Sequence, residues 1–324
     1  MHAKPLPEGL AGGPFSTARA RELGVGPSRL RRAGLVHPTR GAHAVEAPVT
    51  LTERAAAFAA GMPSARAFSH LTAARLLGLP LPGGLAVEAD AGALHVMAHT
   101  DDGQVRRKGC VGHRGLEIRA TSEVDGLQVV DPAHSWVDLG ELRCGRLTRD
   151  DLVVLGDAAV ALLDSWSGQQ VRSGARTSAG VRALHEALHG RVRPRGKVML
   201  AHALEVIRPR VRSPMETRAR LMFVRAGFPE PEAGGLITDE DGEFLAEGDL
   251  VWRARRVVAE YQGAHHAEIG RRSADSGRRH LLERSGWQVR ELFAEDVYRA
   301  PRRQAALEAV AAMLGLDPST LHIT

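Results

Sequence analysis

The segment Glu247–Gly263, EGDLVWRARRVVAEYQG, constrains this 324-residue chain more than any other stretch. Its two apolar runs, LVW and VVA, are short and rich in β-branched residues, and a polar Arg-Ala-Arg-Arg step separates them. They therefore read as two strands joined by a tight connection. Asp249 begins the first strand and Glu260 ends the second, so a hairpin brings both carboxylates to one sheet edge. An apolar run ending in an acid fits a buried strand whose last residue emerges into a cleft. Hard divalent ions take oxygen ligands and are commonly held by one or two carboxylates plus water and phosphate. The pattern thus points to Mg²⁺ or Mn²⁺ as cofactor.

The surrounding order is that of a small α/β domain. From about residue 205, a helix over 213–227 precedes strands near 235–238, 245–251 and 256–261. A charged helix over 271–285, a strand over 287–293 and a closing helix over 301–314 follow. Helix, three strands, helix, strand makes a mixed sheet flanked by helices. Upstream, residues 1–48 pair two short helical patterns with a hairpin, and residues 49–165 alternate Ala/Leu-rich helices with short strands. Residues 166–204 form a basic helical linker. The fold class expected is α/β, in the α+β multidomain sense: an N-terminal winged helix, a mixed middle domain and a C-terminal αβββαβ core over 205–324.

Composition removes several alternatives. No run approaches the roughly 18 apolar residues a membrane span needs, and the first residues lack the apolar stretch of a signal peptide. A cytoplasmic protein without membrane partners is expected. The two cysteines, Cys110 and Cys144, have no CxxC partner, which argues against a disulfide framework or a cysteine-held zinc. Net charge is +5, and only Lys4, Lys108 and Lys197 are lysines, so the positive charge is nearly all arginine. Between Arg172 and Arg212 ten basic residues face only Glu186 and Glu205. Arginine suits bidentate phosphate contact.

The N-terminal stretch fits a DNA reader. Ser16 is a good N-cap for STARARELGV, and Pro27 occupies a permitted first-turn position of the next helix. That second helix carries Arg29, Arg31 and Arg32, which can meet phosphates and guanine edges in a major groove, with Arg40 on the hairpin against backbone. The plain rival is a helical hairpin with a solvated basic face.

The C-terminal third resembles the PD-(D/E)xK nuclease superfamily, in the branch similar to very-short-patch mismatch-repair endonucleases. The matching residues are SPMETRAR with Glu216, GDLVW with Asp249, EYQGAHH with Glu260, Gln262 and His266, and DSGRRHLLERSGWQVREL with Asp275, Arg279 and Trp287. The resemblance implies Asp249 and Glu260 as metal ligands, with the Tyr261 carbonyl as a third. His266 would be a proton-transfer partner, and Glu216 would hold a water or the metal from the preceding helix. Gln262 stands in the place of the superfamily lysine and cannot supply its positive charge, though it can orient water or phosphate. Structural readings stand beside these: Glu216 completes a Ser213 capping box, Arg279 belongs to a solvated ion-pair face, and Trp287 is core. Residues 14–165 resemble, more loosely, the antitoxin component of abortive-infection type IV systems, through PFSTARARELGV, RGAHAV and DPAHSWVDL.

Together these imply a DNA-binding, metal-dependent endonuclease hydrolysing phosphodiester bonds. DNA is the expected partner, with a homodimer and a toxin or defence-system protein as further expectations. The alternative is a transcriptional regulator or antitoxin-like DNA-binding protein with a catalytically degenerate nuclease fold, and an RNA substrate is the third reading.

Overall fold

The computed structural model describes residues 6–32, 34–63, 65–142, 145–263, 277 and 279–322. The chain is a mixture of helices and sheets that clusters into two compact units, Met1–Cys144 with Ala187–Lys197, and Gly145–Glu186 with Val198–Thr324. These limits differ from the four consecutive stretches expected. The helix over residues 149–167 clusters with the C-terminal third, and the stretch expected as a linker is divided between the units.

In the N-terminal unit, α1 (Glu8–Ala11), α2 (Thr17–Glu22) and α3 (Pro27–Arg32) gather around Leu10, Phe15, Ala20, Val25 and Leu30. Ser16 caps α2 by accepting the Arg19 N–H at 2.9 Å, as its position before the helix requires. Strand β1 (Phe15–Ser16) pairs antiparallel with β2 (Ala42–His43), and Val36 bridges to Ala44, which closes the hairpin around Arg40. Next come α4 (Leu51–Ala60), β3 (Arg66–Phe68), α5 (His70–Leu76), α6 (Gly83–Ala91), β4 (Leu94–Ala98), β5 (Cys110–Arg114), β6 (Thr121–Val124), β7 (Leu127–Val130) and α7 (Pro132–Gly140). The five strands form one mixed sheet in the order β5-β4-β3-β7-β6. Asp138 on α7 is fully buried and accepts from Arg119 at 2.8 Å and from Arg191 at 2.9 Å.

The C-terminal unit includes α8 (Arg149–Ser167), most of α9 (Ala179–His189) and nearly all of α10 (Lys197–Val206). Then follow α11 (Pro214–Arg225), β8 (Glu232–Thr238), β9 (Phe244–Trp252) and β10 (Val257–Tyr261). A helix described over residues 279–284, α12, precedes β11 (Gln288–Leu292), α13 (Ala294–Tyr298) and α14 (Ala300–Leu314). The sheet order is β11-β10-β9-β8, with β8, β9 and β10 antiparallel in turn and β11 parallel to β10. Helix α13 falls where the sequence pattern had suggested only a connection.

Both faces of this sheet are covered, which is why VVA reads as a continuous apolar run rather than an alternation. Leu250, Trp252, Val257 and Ala259 pack with Ala219, Met222 and Phe223 of α11 and with Ala306, Leu307 and Val310 of α14. On the other side Val251 and Val258 meet Leu282 and Trp287, so Trp287 is core. Gly248 faces Gly235 across the β8–β9 pair, and a Cβ built on Gly248 would stand 2.4 Å from Val258 Cγ2. Glycine at 248 thus lets β9 approach β10 immediately before Asp249.

Helix α11 is fastened to α8 by a buried ionic knot. Arg220, at 0% exposure, meets Asp157, at 1%, with 2.9 Å between Nη2 and Oδ2. Thr217 Oγ1 donates to the same carboxylate at 2.8 Å, and the Arg208 N–H donates at 2.7 Å. Arg220→Met leaves the Asp157 charge buried without its guanidinium and should cost about 3–5 kcal/mol in urea unfolding. The double variant Asp157→Leu/Arg220→Met should regain much of that loss. A cost below about 1 kcal/mol for the single variant would contradict the assignment.

Candidate active site

The carboxylates gather where the β9–β10 ladder stops. Its last pair is Ala259 with Leu250, and one further step of the register sets Glu260 opposite Asp249. At that step a side chain replaces the backbone ladder: Asp249 Oδ2 accepts the Tyr261 N–H at 2.8 Å. Asp249 is half-buried and Glu260 is buried. Asp249 does not begin its strand as expected; β9 starts five residues earlier, at Phe244.

Glu216 reaches the same rim from the first turn of α11. Ser213 caps this helix by accepting the Glu216 N–H at 3.2 Å. The reciprocal arm of a capping box is absent, because Glu216 Oε2 instead accepts the Arg212 N–H at 3.0 Å, one residue further back. Burial first, and then the negative charge of Asp249, raise the Glu216 pKa to about 7 against the opposing hydrogen bonds from Arg212 and Ser213. Two carboxylates are therefore held within electrostatic reach of each other in a partly dehydrated place, as a cation-binding site requires.

The remaining expected residues fall less uniformly. The Gln262 N–H donates to Leu292 O at 2.8 Å, carrying the β10–β11 pairing one residue beyond the strand, and its side chain is half-buried. Tyr261 is tied to the site through its N–H. Arg279 pairs with Glu283 at 2.9 Å and with Glu291 at 3.4 Å. The Glu283 hydrogen bond raises its pKa first, and the charges of Glu291, Glu283 and Glu260 add to the rise. Arg279 thus serves as counter-ion to an acidic group, and a phosphate would have to compete for it. His266 and Asp275 lie outside the described residues.

Among the described residues, three-ligand sets with all donor atoms within 4.8 Å comprise one group, His70, His95 and His113 in the N-terminal unit. Glu216, Asp249 and Glu260 do not close to that distance. The histidine group carries no sequence signature, since 25 and 18 residues separate its members.

The expected nucleic-acid contacts separate in the same way. Arg31 and Arg40 are exposed and Arg29 is half-buried, while the Arg32 side chain lies outside the described part. Arg19, earlier on α2, pairs with Glu22 at 3.0 Å. In the basic stretch, Arg176 and Arg208 meet Glu230, Arg191 meets Asp138 and Glu141, and Arg210 and Arg212 meet Glu247. Half of the ten cations read as phosphate contacts are therefore joined to carboxylates of the chain itself. Arg172, Arg182, Arg193, Arg195 and Lys197 are exposed.

No family model matches the chain, and no solved structure matches it. Over 113 residues it is 34% identical to the uncharacterized proteins MT2308 and Rv2248 of Mycobacterium tuberculosis, which is 35% of this chain and 41% of each relative. The chain therefore spans about two fifths of the length of the curated relatives it matches.

In metal-free protein, Glu216 holds a proton over a range where the unfolded chain has released it. The folded pKa lies near 7 against 4.5 unfolded, so stability falls as pH rises from about 4.5 to about 7 and then levels off. Glu216→Gln removes this dependence. Relative to wild type the variant should gain up to about 3 kcal/mol across that window, measured by urea unfolding at a series of pH values. Parallel curves for the two proteins would show that the carboxyl is not held in this way.

Proposed function

We propose that the C-terminal unit is a metal-dependent endonuclease domain of the restriction-endonuclease-like kind, acting on DNA. The observation that carries this reading is the pairing of Glu216 with Asp249 beside Glu260, at the point where the β9–β10 ladder ends. A buried carboxyl held at a cost beside another acid is hard to explain by packing alone. A divalent cation removes that cost, because it draws the proton off Glu216 and neutralises both charges.

The donor set fits Mg²⁺ or Mn²⁺, which favour carboxylate, carbonyl and water oxygens. Asp249 and Glu260 would hold the ion, with the Tyr261 carbonyl as a further donor and Glu216 orienting water. When bound, the ion supplies a lower pKa for water and charge neutralisation at the scissile phosphate. The rest falls to the chain. Glu216, whose carboxylate the ion would keep ionised, could accept a proton from water near neutral pH. The bond from Asp249 to the Tyr261 N–H sets the direction of that carboxylate. Gln262 can orient water or phosphate but adds no charge. Arg31 and Arg40 of the winged helix would hold DNA backbone, which makes binding strongly salt-dependent.

A second reading has its own support. Position 262 is glutamine, and five arginines of the basic stretch are engaged within the chain. A DNA-binding regulator that has lost cleavage would keep the same fold and the same N-terminal arginines.

Supercoiled plasmid with Mg²⁺ or Mn²⁺ should be nicked by the wild type. Asp249→Asn and Glu260→Gln should lose at least roughly a hundredfold of that rate, the scale of a lost electrostatic contribution to catalysis. Mn²⁺ should also raise the unfolding temperature of the wild type and not of Asp249→Asn. Equal plasmid loss in all three proteins would assign the cutting to a contaminant. An absence of cutting, with DNA binding that weakens in Arg31→Ala and Arg40→Ala, would favour the regulator.

A further inference from the structure

Three imidazoles meet at the five-stranded sheet of the N-terminal unit, apart from the acidic site. Strands β4 and β5 are parallel, with His95 opposite Val111 and Met97 opposite His113, so His95 and His113 occupy one face as diagonal neighbours. His95 Nδ1 lies 3.0 Å from His113 Nε2. His70 arrives by a different route. It follows the end of β3, where Phe68 pairs with Val96, and strict alternation would send position 70 to the face opposite His95. Instead its backbone enters the left-handed region, with φ 49°, and its ring stacks on His113 with centroids 3.7 Å apart. Such a conformation is strained at a non-glycine residue and persists where the surroundings demand it. One ring nitrogen from each residue lies within 4.8 Å of those from the other two.

The surroundings suit a cation. Burial is the main cause that lowers the His70 pKa to about 3 and the His113 pKa to about 4, and a neutral imidazole keeps one nitrogen lone pair that a metal can take. Ser69 Oγ stands 3.1 Å from His70 Nδ1, which orients the ring and leaves Nε2 as its ligand atom. The carboxylate of Asp138 and the guanidinium of Arg119 act on His70 and His113 in opposite directions, with Asp138 the larger of the two. The Asp138 oxygens are engaged by Arg119 and Arg191, so this carboxylate is not a ligand. All three histidines are half-buried, which leaves an approach from solvent. As packing alone the cluster is poor, because aliphatic residues would fill the same space without withdrawing imidazole nitrogens from water.

We propose that His70, His95 and His113 form a binding site for a divalent transition metal, with Zn²⁺ the best match. Imidazole donors select this class over Mg²⁺ or Ca²⁺, and three histidines leave a fourth position open to water or a ligand. Closure of the site needs side-chain rotation that exchanges the His95–His113 hydrogen bond for two metal bonds.

The test uses full-length, chelator-stripped protein in the Asp249→Asn background, so that the acidic site does not contribute. Titration with Co²⁺ should saturate at one equivalent, with the strong visible bands of a four-coordinate nitrogen site, and Zn²⁺ should bleach them. His95→Gln and His113→Gln should each weaken Zn²⁺ binding by more than the roughly 10–100-fold that an orienting partner is worth, and Ser69→Ala by about tenfold. His43→Gln breaks another close histidine contact, 3.0 Å between the Nδ1 atoms of His37 and His43, and should leave binding unchanged. No saturable equivalent in the folded parent protein would overturn the proposal, and that titration decides even if a variant fails to fold. Binding lost in His43→Gln but kept in His95→Gln and His113→Gln would equally overturn it.

Discussion

Asp157 is the fixed point of the C-terminal unit. A carboxylate this deeply buried is tolerable only with its oxygens satisfied and a cation against it. Thr217, Arg220 and the Arg208 backbone together meet that demand. Burial still pushes the Asp157 carboxyl above its ordinary value, with Arg220 pulling it back. Two of its partners, Thr217 and Arg220, bracket one turn of α11, so the rotation of that helix about its axis is set by them. Glu216 is the neighbour of Thr217, and its direction toward the sheet rim is inherited from the knot. Asp138 has the same role in the N-terminal unit, where it joins Arg119 to Arg191 across 72 positions of sequence.

A substantial part of the charge in this protein is structural. An arginine-rich chain invites a nucleic-acid reading, and the exposed N-terminal arginines Arg31 and Arg40 remain open to it. Much of the basic stretch upstream of α11 is consumed by Glu230, Glu247, Asp138 and Glu141. Arginine makes this possible, since its planar fork can serve two acceptors at once and is more weakly hydrated than an ammonium. Composition records how many cations a chain carries but not what each is paired with.

The acidic rim and the histidine cluster illustrate two kinds of side-chain grouping. The first lies on adjacent strands of one hairpin, so its members are near in sequence and their opposition follows from register. Asp249 and Glu260 were legible for that reason, and the counter-reading of Glu216 as a cap was half right: Ser213 caps it, while its own carboxylate goes to Arg212. The second draws one residue from the end of β3 and two from a parallel pair, with loops of variable length between. Nothing local in SH, LHV or GHR marks these positions as neighbours.

Alternation, caps and apolar runs were sufficient to place α11, β8, β9, β10, β11 and α14 to within a few residues, because each depends on side chains close in sequence. The mixed α and β character followed from the same signals. The assignment of α8 to the C-terminal unit, the consumption of the arginines and the turn of His70 against strand alternation were decided by tertiary structure. Each depends on a partner dozens of residues away, and the free energy of a buried charge or a strained backbone is settled by that partner, not by its neighbours in the chain.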